Sequence, residues 1–227
     1  MKKILAELVG TYLLVFLGTS AVVAALSVTG GTLVVPCIVE IAFTFGLALV
    51  AIAYAFGPIS GAHVNPAVTL GMVVAKKIEP GDALRYWVAQ FGGGVLAALT
   101  LQAAYGDMAE RFNFGANAPG PKFGVQGALI FEIISTMLFF LVIYGVAASK
   151  RAVAGFAGLP IGLYLVASHL AGIPISGSSL NPARDFGPAL LAGGDTLGRV
   201  WIYFVGPLAG GVLGGFLAGH LHEGKED

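Results

Sequence analysis

Apolar residues in this chain do not alternate at the strand period, nor do they line one face at the helix period; they run. Six segments, 4–25, 34–56, 83–105, 125–148, 153–173 and 198–221, each supply the roughly 20 mostly apolar residues that a helix needs to cross a bilayer. The pattern predicts an all-α membrane protein with six transmembrane helices. The first run follows Met1-Lys2-Lys3, as in a signal peptide. It continues past Ala24, however, with Glu7 inside it and no A-x-A cleavage site near its end, so it reads as the first span. Two further apolar stretches, Pro66 to Ala75 and Pro182 to Ala192, are only about half the length a span requires. Non-helical backbone beside such pieces is tolerated at membrane depth only where it is buried in protein or lines a wet cavity. They are expected to be re-entrant half-helices.

Composition narrows the class. The 227 residues are 57% hydrophobic and 11% charged, against about 25% charged in an ordinary soluble domain. Twelve basic and twelve acidic side chains cancel, which excludes nucleic-acid binding through a basic surface. A soluble enzyme and a disordered chain are excluded by the same apolar surplus. The lone Cys37 and four scattered His residues show no metal-ligand spacing, so neither a metal nor another cofactor is expected. Six spans leave both termini on one side of the membrane. With that side cytoplasmic, Lys2, Lys3, Lys76, Lys77, Arg85, Lys150, Arg151 and Lys225 fall inside, and Arg111, Lys122, Arg184 and Arg199 outside. Lys and Arg accumulate on the cytoplasmic side, which supports cytoplasmic N- and C-termini. The segment Gly106 to Gly124 has no hydrophobic period and reads as a connector.

On either side of that connector the sequence repeats. A shift of 116 residues lays Pro58-Ile-Ser-Gly-Ala-His-Val-Asn-Pro-Ala67 on Pro174-Ile-Ser-Gly-Ser-Ser-Leu-Asn-Pro-Ala183, with seven of the ten positions identical. The same shift pairs Gly46-Leu47 with Gly162-Leu163. Other offsets pair Glu7 with Glu132, Thr11 with Thr136, and Arg85-Tyr-Trp87 with Arg199-Val-Trp201. Three spans per half is an odd number, so the second copy must be inverted relative to the first, as in many transport proteins whose site lies at the repeat interface. The chain is therefore expected to be a single channel domain over 1–227, with a first repeat at 1–112, residues 113–123 within the connecting loop, and a second repeat at 124–227.

The repeated motif has a chemical logic. Asn is among the best N-cap residues and Pro is favoured in a first helical turn, so Asn65-Pro66-Ala67 and Asn181-Pro182-Ala183 each start a half-helix. In an inverted repeat the two starts meet near the centre. Each carries about half a positive charge from aligned peptide dipoles, and together they repel cations beside the amide donors of Asn65 and Asn181. The preceding segments, Gly61-Ala62-His63 and Gly177-Ser178-Ser179, are expected to run extended and to turn their carbonyls to a file of polar molecules.

With two Asn-Pro-Ala boxes and six spans, the sequence resembles the aquaporin, or major intrinsic protein, family over essentially its whole length. The resemblance implies a homotetramer with one pore per subunit, no enzymatic chemistry, and a pore whose width, lining hydrogen bonds and electrostatic barrier act together. It also implies that Phe45, His169, Ser178 and Arg184 form an aromatic and arginine filter at the outer end. Phe with His and Arg suits water. Glycerol-conducting relatives usually carry a small residue in place of His169, although Asp185 is typical of that branch. Glu7 and Glu132 lie within spans, where charge is expensive; the resemblance makes them supports of the two re-entrant loops. The expected function is a passive water channel that excludes protons and ions, with a glycerol channel as the alternative. A proton-coupled transporter using Glu7 or Glu132, and a membrane enzyme using His63 or His169, are the readings from other classes. Short termini and loops point to the plasma (inner) membrane of a prokaryote.

Overall fold

The structure is a computed structural model in which residues 1–223 are described; Lys225, counted above for orientation, lies outside them. Among the described residues there is no strand, and the α-helices follow as α1 (Lys2–Val28), α2 (Val35–Ser60), α3 (Pro66–Val74), α4 (Pro80–Tyr105), α5 (Asp107–Arg111), α6 (Gly124–Ile143), α7 (Gly158–Ser176), α8 (Pro182–Ala192), α9 (Gly194–Arg199) and α10 (Ile202–Glu223). A π turn, Tyr144–Ala148, extends α6. Six elements are long and apolar enough to cross a membrane, the last running from Gly194 to His222 through α9 and α10. The two short helices α3 and α8 begin at the expected prolines.

Three details depart from the sequence reading. The fifth span begins at Gly158 rather than at 153, because Gly155 takes a left-handed turn (φ 76°) after the charged pair Lys150-Arg151. The connector is more than a loop. It contains α5 and a 3₁₀ turn, Asn113–Gly115, and buries Phe114 in an apolar cluster with Val23, Leu101 and Ala109. The third concerns register within the repeat. Tyr86 donates its hydroxyl to the Ser60 carbonyl at 2.7 Å, and Tyr203 donates to Ser176 at 2.7 Å. Tyr86 therefore corresponds to Tyr203, and the match of Arg85-Tyr-Trp87 with Arg199-Val-Trp201 is out of step.

Close helix contacts set the frame. α2 and α7 cross where a Cβ on Gly46 would lie 2.7 Å from the Gly162 carbonyl oxygen, and one on Gly162 would lie 2.5 Å from that of Gly46. Gly94 of α4 packs on the Ala183 carbonyl at the start of α8, and Gly211 of α10 packs on the Ala67 carbonyl at the start of α3. A side chain at any of the four would force backbone apart. Small residues permit this approach in lipid, where apolar burial gives no drive between helices.

Candidate functional site

The two half-helix starts abut at the centre of the molecule. Asn65 caps α3, its Oδ1 accepting from the Ala67 N–H at 2.8 Å while its Nδ2 donates to the Leu180 carbonyl at 2.8 Å. Asn181 caps α8 in the same way, accepting from the Ala183 N–H at 3.0 Å and donating to the Val64 carbonyl at 2.9 Å. Each cap is thus tied to the loop leading into the other helix. An amide nitrogen carries two hydrogens, so each Asn keeps a second N–H beyond this link. Pro66, Ala67, Pro182 and Ala183 are buried in the two first turns, and Trp87 donates to the Pro66 carbonyl at 3.1 Å.

The segments before the caps are not extended, contrary to the sequence expectation. Gly61 (φ 89°), Ala62 (48°) and Val64 (43°) are left-handed, and so are Gly177 (85°), Ser178 (59°) and Leu180 (57°). Such turns cost a non-glycine residue of order 1–3 kcal/mol and persist only where the surroundings enforce them. Two glutamates do so. Glu7 accepts from the Ser60 hydroxyl (2.7 Å) and the His63 N–H (2.9 Å) on one oxygen, and from the Val64 N–H (2.7 Å) and Gln90 Nε2 (2.8 Å) on the other. Glu132 accepts from the Ser176 hydroxyl (2.7 Å), the Ser179 N–H (2.8 Å) and the Leu180 N–H (2.8 Å). The alternating backbone sends N–H groups to the carboxyl groups, away from the cavity.

That cavity, about 360 Å³, runs past both caps. Gly61, Ala62 and His63 line it from the first loop and Ser179 from the second; Gly177 and Ser178 are not in its lining. Its remaining wall is largely apolar, with Leu14, Leu49, Val68, Phe139 and Leu165. Neither Glu7 nor Glu132 reaches it. A proton-coupled transporter would need a carboxyl group on the pathway, and these two are occupied behind it. His63 is held by Thr69 Oγ1 at 3.1 Å and meets the Tyr86 ring edge-on at 5.2 Å.

At one end Phe45, His169 and Arg184 converge. The Phe45 and His169 ring centroids are 4.7 Å apart, and the Arg184 guanidinium carbon is 5.0 Å from the Phe45 centroid. Arg184 donates from Nη1 to the Gly115 carbonyl at 2.9 Å and to Asp185 Oδ1 at 3.3 Å. Asp185 in turn accepts from the backbone and side-chain N–H groups of Asn117 at 3.2 and 3.3 Å. The ion pair is buried, where an unpaired charge is expensive, so Asp185 fixes the cation from behind. His169 Nδ1 lies 3.0 Å from the Leu165 carbonyl. A carbonyl can only accept, so in the neutral ring Nδ1 carries the hydrogen and Nε2 a lone pair. Among the described residues, His169 Nε2 and Arg184 Nε make no hydrogen bond. This end of the cavity thus sets an acceptor, His169 Nε2, beside the N–H donors of the Arg184 guanidinium.

Ser178, the fourth residue assigned to this group, behaves differently. Its hydroxyl turns to Ser168 Oγ at 3.0 Å, which itself lies 2.7 Å from Ser135 Oγ. Gly115, Asn117 and Ser168 were not foreseen from the sequence. The Asn113-Phe-Gly-Ala-Asn117 stretch signals a turn but gives no hint of the arginine it receives.

Known proteins share both sequence and shape with this chain. The profile of the major intrinsic protein family matches residues 1–218. An Aquaporin Z of Rhodopseudomonas palustris is 43% identical over 224 residues, covering 95% of this chain and 91% of that protein. Glycerol uptake facilitator protein-like 6 of Lactiplantibacillus plantarum is 39% identical over 227 residues, covering 100% of both. The fold is that of the aquaglyceroporin from Plasmodium falciparum, with a TM-score of 0.86 at 24% identity over 97% of this chain and 96% of that one. Six apolar spans, paired half-helix starts and a family match over nearly the whole length make this multi-pass membrane protein a channel rather than an enzyme, and the chain belongs to the major intrinsic protein family.

Proposed function

We propose that the protein is a passive water channel that excludes protons and ions. The observation that carries this reading is the filter end of the cavity. There Phe45, His169 and Arg184 close on one another, with His169 Nε2 as an acceptor and the Arg184 guanidinium as a donor. A water molecule can donate to the first and accept from the second at once. Deeper in, it accepts from the spare N–H groups of Asn65 and Asn181, which orients its oxygen to the centre and interrupts a proton-hopping chain. Arg184 and the two helix starts repel cations, and the apolar wall gives an ion nothing to replace its hydration. The carbonyls of Gly61, Ala62, His63 and Ser179 provide acceptors along the path. Lys and Arg placement supports cytoplasmic termini, and the family resemblance supports a homotetramer in the plasma membrane.

A glycerol channel is the second reading. Asp185 and the 39% identity to a protein named as a glycerol uptake facilitator-like protein favour it. Stopped-flow light scattering of vesicles containing the purified protein separates the two. With an impermeant osmolyte, shrinkage is expected to be fast and of low activation energy; with glycerol, re-swelling is expected to stay near that of protein-free vesicles. Rapid re-swelling in glycerol would establish the alternative.

His169 is the lever on this selectivity. His169→Gly removes the ring that stands against Phe45 and is expected to raise glycerol permeability by roughly tenfold, because pore diameter and lining groups govern which solutes pass. Unchanged glycerol entry in a folded variant would place the narrowest point elsewhere.

A further inference from the structure

The width of the filter depends on what stands behind Phe45, and that is a bare stretch of helix. The ring projects from α2 toward α1 and rests on Gly18. A Cβ at Gly18 would overlap three ring atoms, Cδ1, Cε1 and Cζ. In front of the ring are His169 and Arg184, at the distances given above. Phe45 is only 2% exposed, so it sits in a slot whose back wall is the main chain of α1.

The next residue supports the other side of the filter. Gly115 packs on Thr19, such that a Cβ on Gly115 would lie 3.1 Å from Thr19 Cβ and 3.2 Å from its carbonyl oxygen. The Thr19 hydroxyl is turned back to the Val15 carbonyl at 2.7 Å. Gly115 carries the carbonyl that holds Arg184. Two consecutive residues of α1 therefore back the aromatic and the cationic members of the filter. Interiors are packed as densely as organic crystals, so an added methyl group must displace something. The α1 backbone is a continuous helix over Lys2–Val28 and yields less readily than a ring on a side chain.

We propose that Gly18 is the positioning residue that sets how far the Phe45 ring stands back, and thereby the width of the filter. The inference rests on the filter reading above and adds a residue that lines no part of the cavity. Alanine favours helix more than glycine does, so a loss caused by Gly18→Ala does not come from weakening α1.

The test measures water flux per folded channel in vesicles for four proteins: native, Gly18→Ala, Phe45→Val, and the double variant Gly18→Ala/Phe45→Val. Valine lacks all three ring atoms that the new methyl group would strike. Gly18→Ala is expected to cut water permeability by roughly tenfold through narrowing. The double variant is expected to recover the flux of Phe45→Val. Gly158→Ala, whose Cβ would lie 2.8 Å from the half-exposed ring of Tyr54, crowds an aromatic ring away from the filter and is expected to conduct like the native channel.

Native flux in folded Gly18→Ala overturns the proposal, as does a loss that Phe45→Val fails to restore. If Gly18→Ala does not fold, recovery of folded protein in the double variant upholds the seat, and continued misfolding overturns it. Absence of water flux in the native protein would instead reject the water-channel reading itself.

Discussion

Alanine in place of Glu7 or Glu132 is expected to cost the channel its folded state. Glu7 receives four hydrogen bonds and Glu132 three, and each buried donor left without a partner costs about 1–3 kcal/mol. Water cannot easily compensate at this depth. The left-handed turns at Val64 and Leu180 would also lose the anchors that hold them. The measurement is the fraction of detergent-extracted protein that elutes as a folded species, with its thermal unfolding midpoint. Glutamine distinguishes the two sites. The Glu132 oxygen facing Leu180 accepts one bond, so an amide NH2 placed there loses only that one. At Glu7 each oxygen accepts two. Glu132→Gln is therefore expected to retain more folded protein than Glu7→Gln, and a native midpoint for Glu7→Ala would mean that the loops hold their shape without it.

Arg184→Val is expected to turn the proposed cation barrier into a cation attraction. The variant removes the guanidinium yet leaves Asp185 buried beside the opening, where Asn117 donates to it. The local charge changes from near balance to negative. Proton flux into vesicles, followed with an internal pH dye under a potassium diffusion potential, is expected to rise by roughly tenfold or more, since charge at a pore constriction governs ion entry. Adding Asp185→Asn removes the residual charge and is expected to reverse part of that rise. If neither variant leaks, the helix starts at Asn65 and Asn181 alone hold the barrier.

Much of the fold could be read from the chain because its signals are local. Apolar run length gives the spans, and Asn-Pro gives a capped helix start wherever it occurs. The pairing of Glu7 with Glu132 was legible for a different reason: a charge within a span is too costly to be incidental. What escaped were contacts between residues distant in sequence. Gly18 meets Phe45, Gly115 meets Arg184, and Asn117 meets Asp185 only after the helices have packed. The loops before the caps were misread as extended because Ala62, Val64, Ser178 and Leu180 carry no mark of a left-handed backbone; valine there argues against one. The conformation is imposed by partners, not chosen by the residues. Tyr86 and Tyr203 stand out of register for a related reason: Arg and Trp recur at a spacing of 114 residues, whereas the two tyrosines that share a role lie 117 apart.

The proposed filter has no twin. Under the 116-residue shift, Phe45, His169 and Arg184 correspond to Ile161, Ala53 and Val68, all of which line the same cavity. On the proposed reading, a pore made from two like halves is thereby a sieve at one mouth and a funnel at the other. At equilibrium such a pore still conducts equally in both directions. Its response to obstruction is sided, however. A molecule slightly too large to pass is turned away in bulk solution when it approaches from the Arg184 mouth. From the Lys77 mouth the same molecule can enter, descend to the constriction and lodge there as a plug.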